Sequence, residues 1–137
     1  LQARGHMDES GVETAVVYQF MYKGTTITVL GHVHPDLSDD VVEIAGGTDV
    51  LVVPVGGNGY TLDAVGATKA IKRIEPDVVI PAQYEVKGLD YEVPSAPLED
   101  FIKTSGLQQA EPTDSYKVDK PNAELAGSTH LVILNKK

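Results

Sequence analysis

Residues 49–84 read DVLVVPVGGNGYTLDAVGATKAIKRIEPDVVIPAQY, and their pattern decides the fold. Two apolar runs, 50–55 and 78–80, are each entered by an aspartate and interrupted by a proline, Pro54 and Pro81. Between them lie a glycine-rich turn, Gly56-Gly57-Asn58-Gly59, and a helical pattern over 61–75. Ala67, Ala70, Ile71 and Ile74 form one stripe of that helix, while Lys69, Lys72 and Arg73 fall on the opposite face, which is the periodicity of a half-buried helix. Strand, helix and strand in this order make a βαβ unit with a right-handed crossover. The strand runs are continuously apolar instead of alternating, so both faces of the sheet require cover.

Upstream, 14–22 and 25–30 are rich in β-branched and aromatic residues and are separated by Lys23-Gly24, the pattern of a β-hairpin. Ser38 is placed to cap a helix with Asp39 and Asp40 in its first turn, Val41, Ile44 and Ala45 on its apolar face, and Gly46-Gly47 at its end. Downstream, 85–97 reads as an irregular, proline-punctuated loop and 98–104 as a short helix closed by Gly106. A short strand is expected near 116–118 and a longer one over 129–135. The order β-β-α-β-α-β-α-β describes an α/β domain, a mixed sheet with helices on one face.

One domain suits 137 residues. Residues 1–7 end in Gly5-His6-Met7, which resembles a cloning junction; they are read as an expression-tag remnant, with His6 set aside, and 8–137 as the domain. Eleven Lys and Arg against twenty Asp and Glu, a net charge of −9, match a phosphate backbone poorly and argue against nucleic acid as a partner. The chain lacks cysteine, hence any disulfide framework or thiolate zinc site. Its apolar runs are far shorter than the roughly 18 residues of a membrane span. No membrane partner and a cytoplasmic location are the expectation.

Leu30-Gly31-His32, Ser38-Asp39, the strand and turn of 49–57, and Ile80-Pro81-Ala82-Gln83-Tyr84 follow one another in an order that resembles a known family. The chain is similar to the C-terminal half of the metallo-β-lactamase superfamily, in particular the small branch of ascorbate-6-phosphate lactonase-like proteins. Members of that branch run Leu-Gly-Asp, a Thr/Ser-Asp helix start, an Asp-Val-Leu strand ending in Pro-Val-Gly-Gly, and an Ile-Pro-Met-His-Tyr strand. The resemblance implies one half of an αββα sandwich, whose second half covers the inner sheet face and whose metals, zinc or another divalent ion, lie along one edge. It also implies departures. The main His-x-His-x-Asp-His motif belongs to the half not seen here, His32 stands for the aspartate of Leu-Gly-Asp, and Gln83 stands for the histidine of Met-His-Tyr. The function implied is a hydrolase-like half-domain, inactive alone, whose partner is a missing N-terminal half-domain or a second copy in a homodimer. Alternatives are a non-catalytic module that pairs through its inner sheet face and a metal-dependent hydrolase with a rewired site.

That rewired site would use His32 and His34 as metal ligands and Asp36 as a ligand or catalytic base, because residues two apart on a strand point the same way and zinc accepts imidazole and carboxylate. Leu37 stands where the last histidine of a His-x-His-x-Asp-His motif would be, and two polar residues closing a strand-to-helix turn is the plainer reading of the histidines. Gly56 and Gly57 are candidates for substrate contact through the backbone. Gln83 is a third, since its neutral amide is a serviceable hydrogen-bonding group and a poor metal ligand. The glycine-rich turn also has a phosphate reading, which loses to a tight turn needing positive φ.

Overall fold

A computed structural model describes residues 1–9, 11–109, 111–118 and 128–136. Among them the chain runs β1 (Gln2–Ala3), β2 (Ala15–Tyr22), β3 (Thr25–Leu30), α1 (Asp39–Ala45), β4 (Val50–Pro54), α2 (Ala64–Ile74), β5 (Val78–Ala82), α3 (Leu98–Ser105), β6 (Gln108–Gln109) and β7 (His130–Leu131). The strands form a single mixed sheet in the order β1-β2-β3-β4-β5-β7-β6. β1, β2 and β3 pair antiparallel; every pairing from β3 onward is parallel. No helix among the described residues is long and apolar enough to cross a membrane.

Local chemistry sets the elements. Lys23 (φ 50°) and Gly24 (φ 81°) are both left-handed, the two-residue turn whose twist suits a hairpin. The Ser38 hydroxyl accepts from the Val41 N–H to cap α1, with Asp39 and Asp40 in the first turn facing the helix dipole. Asp63 does the same for α2, accepting from the Gly66 N–H at 2.7 Å. The expected stripe Ala67, Ala70, Ile71 and Ile74 is buried, packed in one core with Leu51, Val53 and Val79 of the sheet, Val41 of α1 and Phe101 of α3. Since β3, β4, β5 and β6 advance in one direction across the sheet, with α1, α2 and α3 on the successive connections, right-handed crossovers put the three helices on one face.

On the opposite face, cross-strand register aligns Tyr18, Val29, Val52 and Ile80 in one row and Phe20, Ile27, Val50 and Val78 in the next. Val50 and Val78 are buried, Val29, Val52 and Ile80 half-buried, while Tyr18, Phe20 and Tyr22 of β2 keep 63%, 51% and 54% of their surface exposed.

Two sequence expectations need correction. Residues 116–118 form no strand; the added edge strand is Gln108–Gln109, which carries no apolar signal because both side chains are exposed and only its backbone pairs with β7. The final strand is shorter than 129–135: its ladder to β5 bonds the N–H of His130 and of Val132 to Asp77 and Val79, and the next bond would need a donor from Pro81, which has none. Beyond it only a lone bridge joins Leu134 to Thr113. Residues 1–7, set aside in the sequence reading, pack against the domain. β1 pairs with β2, Ala3 is buried, Gly5 bridges to Val33, and the His6 N–H donates to the His32 carbonyl at 2.7 Å.

Candidate functional site

Parallel β3, β4 and β5 all end at the same edge of the sheet, and the segments leaving them meet there. This carboxyl edge is where α/β sheets place ligand sites. His32 follows β3, Gly57, Tyr60 and Thr61 follow β4, and Gln83 and Tyr84 follow β5; with Tyr91, Val93 and Ser95 from the 85–97 loop they line a cavity of about 280 Å³.

Backbone constraints hold this cavity open. Gly56 passes so close to the Gln83 carbonyl that any Cβ there would collide with it. Its own carbonyl accepts the Ala96 N–H at 2.8 Å, and Glu85 donates to the Ala96 carbonyl at 3.0 Å, so the 85–97 loop is tied at its base. Gly57, Asn58 and Gly59 are consecutive left-handed residues (φ 67°, 61° and 79°), which is why the turn is glycine-rich. The Gly57 N–H donates to the Leu62 carbonyl at 3.0 Å and the Asp63 carboxylate, capping α2, accepts the Gly66 N–H, so these two donors are spent internally and the phosphate reading loses them.

Gln83 is itself left-handed (φ 52°), a costly conformation for a side-chain-bearing residue. Its amide nitrogen lies 3.1 Å from Nε2 of His32. Such a contact needs one donor and one acceptor: either the amide NH₂ donates to an unprotonated Nε2, or the amide is turned and its oxygen accepts from Nε2–H.

His34 and Asp36 go elsewhere. The His34 N–H donates to the Arg4 carbonyl at 2.9 Å, its Nδ1 accepts the Asp36 N–H at 3.0 Å, and its ring stands 6.5 Å from that of His6. Burial, with the charge of Arg4 beside it, holds the His34 pKa below the ordinary imidazole value. The Asp36 carboxylate turns to α2 and pairs with Lys69 at 3.2 Å, a hydrogen bond that lowers its pKa. Arg73 secures the same loop from α2 by donating to the Leu37 carbonyl and to Asp39.

A zinc centre at His32, His34 and Asp36 does not fit these residues. Among the described residues no three His, Cys, Asp or Glu side chains stand close enough to hold one ion. One lone pair of His34 is already committed, Asp36 faces a lysine, and the neighbour of His32 is a neutral amide, a weak ligand.

The structure therefore brings together His32, Gln83 and Gly57, keeps Gly56 as their spacer, and leaves His34 and Asp36 outside the cavity. Sequence reading passed over Tyr60, Thr61, Tyr84, Tyr91, Val93 and Ser95. Tyr60 and Tyr84 sit at the two strand ends it had singled out, and that adjacency was the available signal; the loop residues had none. Among the described residues two buried side-chain polar atoms lack hydrogen-bond partners, Nδ1 of His6 and Oγ1 of Thr61.

Comparison with known proteins agrees with the architecture. Residues 2–83 match the model of a family described as the beta-lactamase superfamily domain. A protein from Thermotoga maritima assigned as a Zn-dependent hydrolase of the metallo-beta-lactamase superfamily superposes with a TM-score of 0.63 at 23% identity, over 87% of this chain and 58% of its own. The metallo-beta-lactamase fold protein YhfI from Bacillus subtilis gives 0.53 at 7% identity, over 96% and 44%. Igni18, a metallo hydrolase from Ignicoccus hospitalis, gives 0.50 at 21% identity, over 98% and 48%. The chain thus spans about half the length of these structures. On its family match and its fold, the chain belongs to the β-lactamase superfamily domain family, with the metallo-β-lactamase fold.

Proposed function

We propose that this chain is a hydrolase-like half-domain of the branch similar to ascorbate-6-phosphate lactonases, and that alone it does not hydrolyse substrate through a metal-activated hydroxide. The carrying observation is the His32–Gln83 pair at 3.1 Å. At the ends of β3 and β5, where the resemblance implies an acidic and an imidazole ligand, these side chains satisfy each other, and what remains is a hydrogen-bonding site able to orient a bound molecule. On this reading residues 2–7 are part of the domain, since β1 and the His6 backbone hold the segment against β2 and His32. The test is calorimetric zinc titration of the wild-type chain and of the double variant His32→Asp, Gln83→His. The double variant gains zinc affinity and the wild-type shows no stoichiometric binding tighter than about micromolar. One tight site in the wild-type, lost on His32→Ala and His34→Ala, overturns the reading.

The exposed Tyr18, Phe20 and Tyr22 favour a second reading, compatible with the first: the open sheet face packs against a second half-domain, and the isolated chain self-associates through it. Apolar surface left in water forfeits about 25 cal/mol for each Å². Sedimentation equilibrium checks this directly. A strict monomer at high concentration, with no binding of a dye specific for apolar surface, overturns it.

A further inference from the structure

Beyond the end of β3 the chain leaves the sheet, and His32 stands on that stretch. β4 pairs with β3 only over residues 27–29. Among the described residues, the main-chain hydrogen bonds that tie 32–34 to other segments all go to the N-terminal one. The His6 N–H donates to the His32 carbonyl at 2.7 Å and the His34 N–H donates to the Arg4 carbonyl at 2.9 Å, on either side of the bridge between Gly5 and Val33. The segment is seated along its length. Leu1 and Val17 exchange main-chain hydrogen bonds at 2.9 and 2.8 Å, Ala3 is 4% exposed and belongs to the same core as Val33, and Arg4 Nε donates to the Asp8 carbonyl at 3.0 Å, closing the segment into a hook. Gly5 passes where a Cβ would run into the side chains of Asp8 and Thr14, a path that suits glycine. The family match also begins inside this segment, at residue 2.

We propose that residues 1–6 are a strap that positions His32: while the strap is seated the imidazole is held within reach of Gln83, and when it lifts the two part. The carbonyl that His6 holds belongs to the residue whose Nε2 meets the Gln83 amide at 3.1 Å, so the strap acts on the cavity through His32 without lining it. A segment fixed by few main-chain hydrogen bonds opens locally more readily than the sheet does, which makes these two bonds the control point. A half-domain joined to the strap bears on the site through it. This rests on the reading of His32 and Gln83 as a hydrogen-bonding site.

The experiment follows amide exchange and side-chain resonances of the full chain in chelator-treated buffer, with His6→Pro set against His6→Ala. Both remove the ring, and only proline removes the N–H. In His6→Pro the His34 amide exchanges at least about tenfold faster, and the Gln83 side-chain amide and His32 ring resonances shift together. In His6→Ala exchange at His34 stays within about twofold of the wild-type and neither resonance moves. Ala3→Asp, which puts a charge into the core beneath the strap, gives the proline result. The Val78 N–H, bonded to the Asp49 carbonyl at 2.9 Å in the middle of the sheet, keeps its wild-type exchange and reports that the fold stands. Should Ala3→Asp unfold, the His6 pair decides. Fast exchange at His34 with Gln83 and His32 unmoved means that the segment merely packs and overturns the proposal, as does no change at any of the three. Tight zinc binding by the wild-type would sink the metal-free reading of the site instead, and the comparison made without metal still decides this one.

Discussion

Two faces of one sheet, built from alternate residues of the same strands, have opposite fates. Leu51, Val53 and Val79 point beneath α1, α2 and α3 and are fully buried; Val52 and Ile80, their immediate neighbours in sequence, point the other way into a face that ends in the exposed rings of Tyr18, Phe20 and Tyr22. Both sets are apolar, so hydrophobicity alone does not tell them apart. The difference lies in the crossovers. Right-handed connections from β3 through to β6 that advance the same way put all three helices on one side, and the chain's described residues furnish no helix for the other. A strand apolar on both sides therefore has, among the described residues, helical cover on one side only.

Substitution at adjacent positions measures the contrast. The largest effect is expected at Leu51→Ala, a loss of about 2–5 kcal/mol from transfer and cavity terms together. Val53→Ala should cost about 2 kcal/mol, and Val52→Ala under about 1 kcal/mol because its side chain is only half removed from water. Denaturant unfolding of the three variants checks the ranking, and equal costs at 52 and 53 would mean that the second face is as covered as the first. Next comes Asp63→Ala, which frees the Gly66 N–H and loosens the helix that roofs the covered face; the expected loss is about 1 kcal/mol in thermal or chemical unfolding. Phe20→Ser should change folding stability by no more than about 0.5 kcal/mol, as for an exposed site, while shifting the sedimentation profile toward monomer. A large stability loss with unchanged association would reverse the assignment of that face.

How far the sequence disclosed this arrangement depended on whether a residue's neighbours leave a periodic trace. Residues 50–55 and 67–74 do, since each packs as one period of a strand or helix, and their elements form within three residues of expectation. Gln108 and Gln109 do not: an edge strand that contributes only N–H and C=O groups leaves no mark on side-chain choice. The early end of β7 is written in a different strand, at Pro81, and cannot be read from 129–135 alone. In the site, the strand-end residues His32, Gly57 and Gln83 were accessible to reasoning because turns and strand ends have local signatures. Tyr91 and Ser95 arrive through an aperiodic loop.

The smallest expected effect concerns acid, and it acts on the segment that closes the covered face beside α1. His34 has a folded-state pKa below its ordinary 6.5, so the folded chain favours the neutral ring. Its contribution is whole above that value and is lost as pH falls through it toward the lower folded value, because the unfolded chain takes up the proton more readily. Asp36 behaves alike at lower pH: its lowered pKa means that its pairing with Lys69 contributes fully above 3.8 and is lost as pH drops through the folded value. Asp36 is exposed and its ion pair is screened by salt, so its share is slight. The two steps separate on a plot of unfolding midpoint against pH. His34→Gln should flatten the limb between about pH 7 and 5, whereas Lys69→Gln should touch only the limb below about pH 4. If His34→Gln leaves the upper limb unchanged, the loss there comes from another imidazole.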